Sequence, residues 1–163
     1  YQEALVRAYG DQFGLRWTIL RYFSIYGPRQ RPDMGYHLFI DRILAGEAVT
    51  LFGDGSQSRG NTYVADCVDA TVRALALAPA GETLNVGGGE VVTAREAIER
   101  IGRLVGREPV VVRGPERPGE QRAALADTSR ARAVLGWEPR TGIDAGLRAQ
   151  VEWQRARLAE RAA

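Results

Sequence analysis

Three arginines lie in loops rich in glycine and proline: Arg29 in YGPRQRP, Arg59 in GDGSQSRG and Arg117 in PERPGE. A guanidinium is a rigid fork of donors that matches two phosphate oxygens at once, and a loop held on a rigid scaffold can aim it. A role in loop solubility remains the alternative for each one taken singly. The other arginines differ in setting. Arg95, Arg100, Arg103 and Arg107 fall on one helical stretch and Arg148, Arg155, Arg157 and Arg161 on another, where solvated faces account for them.

Other chemistry is sparse. His37 is the single histidine, so a Ser-His-Asp triad has one possible base, and no nucleophile elbow lies near it. Beside an apolar helix face it reads as a packing or hydrogen-bonding residue. Gly87-Gly88-Gly89 lacks the G-x-G-x-x-G spacing and reads as a plain turn. One cysteine, Cys67, excludes an internal disulfide and a cysteine-cluster metal site, and no metal is expected. All 22 positive side chains are arginine. Without lysine there is no Schiff base, no Walker-type phosphate loop and no lysine-assisted acid–base pair. The carboxylates fall mostly at caps and on solvated faces, so none pairs off as acid and base.

The elements that must position these residues alternate between helix and strand, which gives an α/β class. Glu3 to Tyr9 reads as a helix end broken by Gly10 and Gly14. Trp17 to Tyr26 is almost continuously apolar and suits a strand buried on both faces of a parallel sheet. A polar loop, Arg29 to Gly35, leads to a helix from Tyr36 to Ala45 with Tyr36, Phe39, Ile40, Ile43 and Leu44 on one face. Val49 to Phe52 and Asn61 to Val64 are short strands. Asp66 is expected to cap a helix reaching about Ala78, with Val68, Val72 and Leu75 inward. Thr83 to Val86 is a strand, and Thr93 with Glu96 has capping-box spacing for the next helix. Val110 to Val112 is extended, Thr128 to Leu135 is a short helix, and the last helix, Asp144 to about Leu158, gathers Leu147, Val151 and Leu158.

The 163 residues are 45% hydrophobic and 26% charged with a net charge of +2, proportions of one ordinary globular domain rather than of disorder. That near-neutral charge argues against a nucleic-acid partner. No apolar run approaches the roughly 20 residues of a membrane-spanning helix and no signal-peptide pattern opens the chain, so a cytoplasmic protein without a membrane partner is expected. The chain begins Tyr1-Gln2-Glu3 and its one methionine is Met34, so it is expected to be a piece of something longer.

Five segments, LRYFSIYGPRQRPD (20–33), LFGDGSQSRGNTYVADCVDA (51–70), LNVGGG (84–89), RPGE (117–120) and LADTSRARAVLGWEP (125–139), stand in an order and spacing that resemble the extended short-chain dehydrogenase/reductase family of NAD-dependent nucleotide-sugar epimerases and dehydratases. RPDMGYHLFI is most similar to the UDP-glucose and UDP-glucuronate 4-epimerases, with dTDP-glucose 4,6-dehydratases next. The resemblance covers the family's C-terminal half. It implies a Rossmann-type core with a small α/β substrate-binding domain: residues 1–27 end the core, 28–163 are mainly substrate-binding, and 62–86 return to the core sheet.

By the same resemblance, Tyr22 and Phe23 border the nicotinamide of NAD, and Ser24 stands where an asparagine commonly contacts the nucleotide sugar. Arg59 and Arg117 match arginines on the diphosphate, Glu120 an acidic residue near the ribose hydroxyls, and the backbone of Thr50, Leu51 and Phe52 the flank of the nucleobase. Tyr36 and Phe39 close the sugar side, and Arg29 joins the substrate-binding set through its loop. The pattern departs after Arg59, where an acidic residue and an aromatic are usual and Gly60 and Asn61 stand. The family's Tyr-x-x-x-Lys pair is missing; Tyr1 is not that tyrosine, because the position four residues on is Leu5. No residue is therefore assigned as catalytic. The expectation is a nucleotide-sugar-binding portion of an NAD-dependent 4-epimerase, UDP- or dTDP-linked in substrate, inert alone and self-associating as a homo-oligomer. The alternatives are the same portion of a 4,6-dehydratase, or a non-catalytic binding or assembly module.

Overall fold

Two clusters of apolar side chains organise the chain; of the three arginines expected in loops, Arg29 and Arg117 are, whereas Arg59 lies in a strand, Ser58–Gly60. The computed structural model describes residues 1–119 and 121–162. In chain order the elements are α1 (Gln2–Phe13), β1 (Thr18–Tyr22), β2 (Ile25–Tyr26), α2 (Gly35–Ala45), β3 (Val49–Phe52), β4 (Ser58–Gly60), β5 (Thr62–Tyr63), α3 (Val64–Leu77), β6 (Glu82–Val86), β7 (Val91–Thr93), α4 (Ala94–Val105), β8 (Val111–Gly114), β9 (Ala123–Ala124), α5 (Ser129–Leu135) and α6 (Ile143–Ala162). Three parallel pairs form, β1 with β6, β2 with β5 and β3 with β8. β4 lies between antiparallel β7 and parallel β9. The class is α/β.

One cluster joins Leu84 and Val86 of β6 to Cys67, Ala70 and Ala74 of α3, with Leu135 and Trp137 behind them. The other joins Ile40 and Ile43 of α2, Val49 and Leu51 of β3, Ile98 and Ile101 of α4, and Leu147 and Val151 of α6. α2 and α4 take the faces that their periodicity demands. Thr93 and Glu96 form the expected capping box, each side chain satisfying the other's backbone N–H.

Several expectations change. Gly10 lies inside α1, because a Cβ there would sit 2.4 Å from the Trp17 ring nitrogen; Gly14 alone ends the helix, left-handed at φ 66°. The apolar run 17–26 is two strands. β1 follows β6 as far as the bond from the Phe23 N–H to the Val86 carbonyl, then Ser24 turns at φ 45° and β2 pairs with β5. Nor is β1 buried on both faces: Arg21 is exposed and forks onto Glu3 of α1 at 2.6 and 2.5 Å.

The inward face of α3 is also different. Val68, Val72 and Leu75 are exposed, while Cys67, Ala70 and Ala74 face the core, where small residues let the helix approach β6. Leu158 of α6 is partly exposed and stands apart from buried Leu147 and Val151. Asp66 sits in the first turn of α3 rather than capping it. Its carboxylate accepts from the Arg140 and Thr141 N–H groups at 3.2 and 2.9 Å and from the Thr141 hydroxyl at 3.1 Å, tying the loop before α6 to α3. β7 and β9 escape periodicity altogether, being three and two residues long.

Removing a charged acceptor of two loop N–H groups costs about 2 kcal/mol. Asp66→Ala should therefore unfold at lower urea with an unchanged slope; an unchanged midpoint would show that the clamp contributes nothing.

Candidate functional site

β3 ends in a turn that fixes one wall of a cavity of about 640 Å³. Thr50 pairs with Val112 and Phe52 with Gly114 across the parallel β3–β8 ladder. The glycine is required, since a Cβ on Gly114 would stand 2.9 Å from the Phe52 ring. The Phe52 ring also receives Arg117, whose guanidinium carbon lies 3.6 Å from the ring centroid. Gln57 donates to the Phe52 carbonyl at 3.0 Å and closes the strand end.

A second wall is β4 and the residue after it. Arg59 donates from one guanidinium nitrogen to the Ser58 and Gln121 carbonyls at 2.8 and 2.9 Å, which holds its side chain along the sheet. Asn61 is buried. Its amide nitrogen donates to the Arg59 and Glu90 carbonyls at 2.8 and 3.3 Å, and its oxygen accepts from the Tyr36 hydroxyl at 2.8 Å. The third wall is the start of α2 with the loop before it, where the Tyr36 ring meets Tyr26 edge-on at 5.7 Å and Phe39 at 6.4 Å.

Eight of the expected residues line this one cavity: Ser24, Tyr36, Phe39, Thr50, Leu51, Phe52, Arg59 and Arg117. Three lie elsewhere. Arg29 is exposed, its backbone left-handed at φ 67°, and the next residue, Gln30, faces the cavity instead. Tyr22 points away from it, its hydroxyl 2.9 Å from that of Thr71 on α3. Phe23 packs beside Gly87, where a Cβ would come within 2.8 Å of its own. Glu120 lies outside the described residues.

Sequence reasoning did not assign Asn61, Gln30 or Gln57 to the site. Asn61 left one trace, as the break in the pattern after Arg59; the structure gives that break a hydrogen-bonding purpose. Gly60 has a similar account: a Cβ there would press on Leu125 at 3.2 Å.

The cavity holds cations and hydroxyls but few groups for chemistry. His37 is fully buried outside it, and Asp33 is its one carboxylate among the described residues. Burial pushes the Cys67 thiol up to about 11, which makes it inert. Among the described residues no cluster of histidine, cysteine or carboxylate side chains is arranged to hold a metal, and no helix is long and apolar enough to cross a membrane.

The chain is similar to known proteins over most of its length. Residues 1–87 match the NAD dependent epimerase/dehydratase family. Over 152 residues the chain is 37% identical to an uncharacterized UDP-glucose epimerase of Bacillus subtilis, covering 93% of this chain and 48% of that protein. It is 33% identical over 161 residues to the dTDP-glucose 4,6-dehydratase of Xanthomonas campestris, covering 93% and 46%. Among solved structures, UDP-glucuronic acid 4-epimerase from Bacillus cereus in complex with UDP-glucuronic acid and NAD superposes with a TM-score of 0.90 at 36% identity, over 94% of this chain and 50% of that one. The chain belongs to the NAD-dependent epimerase/dehydratase family, and its α/β fold is part of that family's Rossmann-type fold. It spans about half the length of the curated relatives it matches.

Burial pushes the Tyr36 hydroxyl well above the usual tyrosine range, opposed by the nearby Arg100 charge and by its bond to Asn61. The sign follows from linkage: a raised folded value keeps the proton on, so its stabilisation is complete below about pH 10 and is lost as pH rises beyond. Tyr36→Phe should remove part of the alkaline loss of stability, and its ultraviolet titration should lack one step that coincides with unfolding. A Tyr36 that ionises in the folded protein near pH 10 would contradict its burial against Asn61.

Proposed function

We propose that this chain binds a nucleotide sugar as part of an NAD-dependent 4-epimerase acting on UDP-glucose or UDP-glucuronate. The observation that supports it is a single cavity that gathers Arg59 of β4, the loop residue Arg117, the end of β3 and the hydroxyl-bearing Ser24 and Tyr36. In this reading Arg59 and Arg117 hold the diphosphate, Thr50 to Phe52 flank the base, and Ser24, Tyr36 and Phe39 close on the sugar. Glu120 belongs to the ribose end, and Arg29 to the substrate side through its loop. Residues 1–27 and 62–86 then form core and 28–163 mainly substrate-binding region, in a cytoplasmic protein.

In the full-length enzyme a tyrosine acting with a lysine would take the sugar 4-hydroxyl proton, and bound NAD would supply the hydride acceptor for C4. The sequence contains no lysine, so the chain's own contribution is binding and orientation rather than proton transfer. The described residues offer no cradle for a dinucleotide pyrophosphate. In Gly87-Gly88-Gly89 the missing side chains admit Ala126 and Phe23 beside Gly87 and the Asn61 carbonyl beside Gly89, where a Cβ would fall within 2.6, 2.8 and 2.2 Å. Tyr22 and Phe23 would border the nicotinamide only. A dTDP-glucose 4,6-dehydratase reading has support in the similarity to the Xanthomonas enzyme; it uses the same diphosphate contacts and differs at the base methyl and the ribose 2′-position.

Calorimetry decides between them. UDP should bind, and Arg59→Ala and Arg117→Ala should each weaken it by about tenfold, as expected for a lost charge-assisted contact. Tighter binding of dTDP would favour the dehydratase reading, and no heat with either nucleotide would refute both. Incubated with NAD+ and UDP-glucose, the chain alone should give no epimer; turnover would refute its inertness. Leu5, Tyr9 and Phe13 of α1 and Val68 and Val72 of α3 are exposed, and β1 has β6 as its one strand neighbour among the described residues. Light scattering should accordingly find dimers or larger species; a monomer would contradict this.

A further inference from the structure

Helix α6 meets the loop bordering the cavity through polar side chains. Gln150 and Gln154 of α6 and His37 of α2 are all 0% exposed. Gln150 accepts from the Gly27 N–H at 2.8 Å and donates to the side-chain oxygens of Gln30 and Gln154 at 3.0 and 3.2 Å. Gln154 donates to the His37 carbonyl at 3.1 Å and to Asp41 at 2.6 Å. Gln30 accepts from the His37 N–H at 3.0 Å and donates to the Ile25 carbonyl at 2.9 Å. A carbonyl only accepts, so the His37 Nδ1 donates to that of Gln30 at 2.7 Å; the Nε2 faces Arg157 at 3.1 Å and Asp41 at 3.2 Å. Arg157 is thus not on a solvated face.

The segment this cluster holds is unusual. Gly27 and Arg29 have φ of 133° and 67°, and Arg29 is not a glycine. Backbone of this kind persists where its surroundings over-determine it. Gln30, Asp33 and Met34, from the same segment, line the cavity. An apolar α6 face would pack as well but would fix no turn, whereas directional hydrogen bonds of Gln150 with Gly27 and Gln30 specify one.

We infer that Gln150 and His37 are positioning residues: through Gln30 they hold segment 27–34 against the cavity, and so set affinity for the sugar without touching it. This rests on the nucleotide-sugar reading, with the diphosphate at Arg59 and Arg117. The test compares Gln150→Leu, His37→Leu and His37→Asn with the unsubstituted chain, since asparagine can place a donor where Nδ1 stands. In both leucine variants the amides of 27–37 should exchange hydrogen about tenfold faster while α4 is unchanged. Their UDP-glucose and UDP-glucuronate affinities should fall about tenfold while UDP affinity stays within about twofold. His37→Asn should restore both readouts, and that pair carries the test if Gln150→Leu does not fold. Unchanged exchange, equal loss of UDP and UDP-sugar binding, or no rescue by asparagine overturns the positioning role. If the unsubstituted chain binds no UDP, the nucleotide reading fails, and the exchange measurement still decides whether the cluster holds the loop.

Discussion

Everything around the cavity depends on the chain changing direction at Ser24. Until Phe23 the backbone is committed to β6; from Ile25 it is committed to β5. The left-handed φ of 45° costs about 1–2 kcal/mol for a residue other than glycine. Two hydrogen bonds flank the turn and offset that cost, from the Phe23 N–H to the Val86 carbonyl and from the Thr62 N–H to the Ser24 carbonyl. The turn splits one apolar run between two cores. Leu20 packs with the α3–α5 cluster, and Tyr26 is delivered to the α2–α4–α6 cluster, where Gly146 must be a glycine because a Cβ would lie 2.4 Å from the Tyr26 hydroxyl. Ser24 itself stays at the junction, facing the cavity.

Much of this was legible in the sequence, and each failure has its own physical cause. Periodicity located α2 and α4 because each buries one wide apolar stripe against a core already complete around it. It failed on α3, where the larger apolar residues lie outside and alanine and cysteine lie inside; close packing on a sheet favours small residues, which a hydrophobicity pattern ranks low. It failed on 17–26 because composition is blind to a single left-handed residue. At the site, Arg59, Arg117 and the end of β3 were readable as chemistry, although Arg59 lies in β4 rather than in the expected loop. Asn61 and Gln30 were not, because their importance comes from partners 25 and 120 residues away, Tyr36 and Gln150.

The cavity is built for holding rather than for reacting. Its cations are steadied by their surroundings, Arg59 by two carbonyls and Arg117 by the Phe52 ring, so little side-chain freedom remains to be lost when an anion arrives. The Tyr36 hydroxyl and the Asn61 amide are fixed to each other, and Tyr36 packs on the second core. A cavity assembled from strand ends and one helix N-terminal turn suits the proposed elongated ligand, an anionic middle with a base at one end and a sugar at the other.

The claim at the centre is that Arg59 and Arg117 share one diphosphate. A crystal structure of this chain grown with UDP tests it most directly. The account predicts phosphate oxygens within hydrogen-bond distance of both guanidinium groups, with the uracil ring against the end of β3. A nucleotide bound away from this cavity, or in it with its phosphates turned from either arginine, would contradict the account.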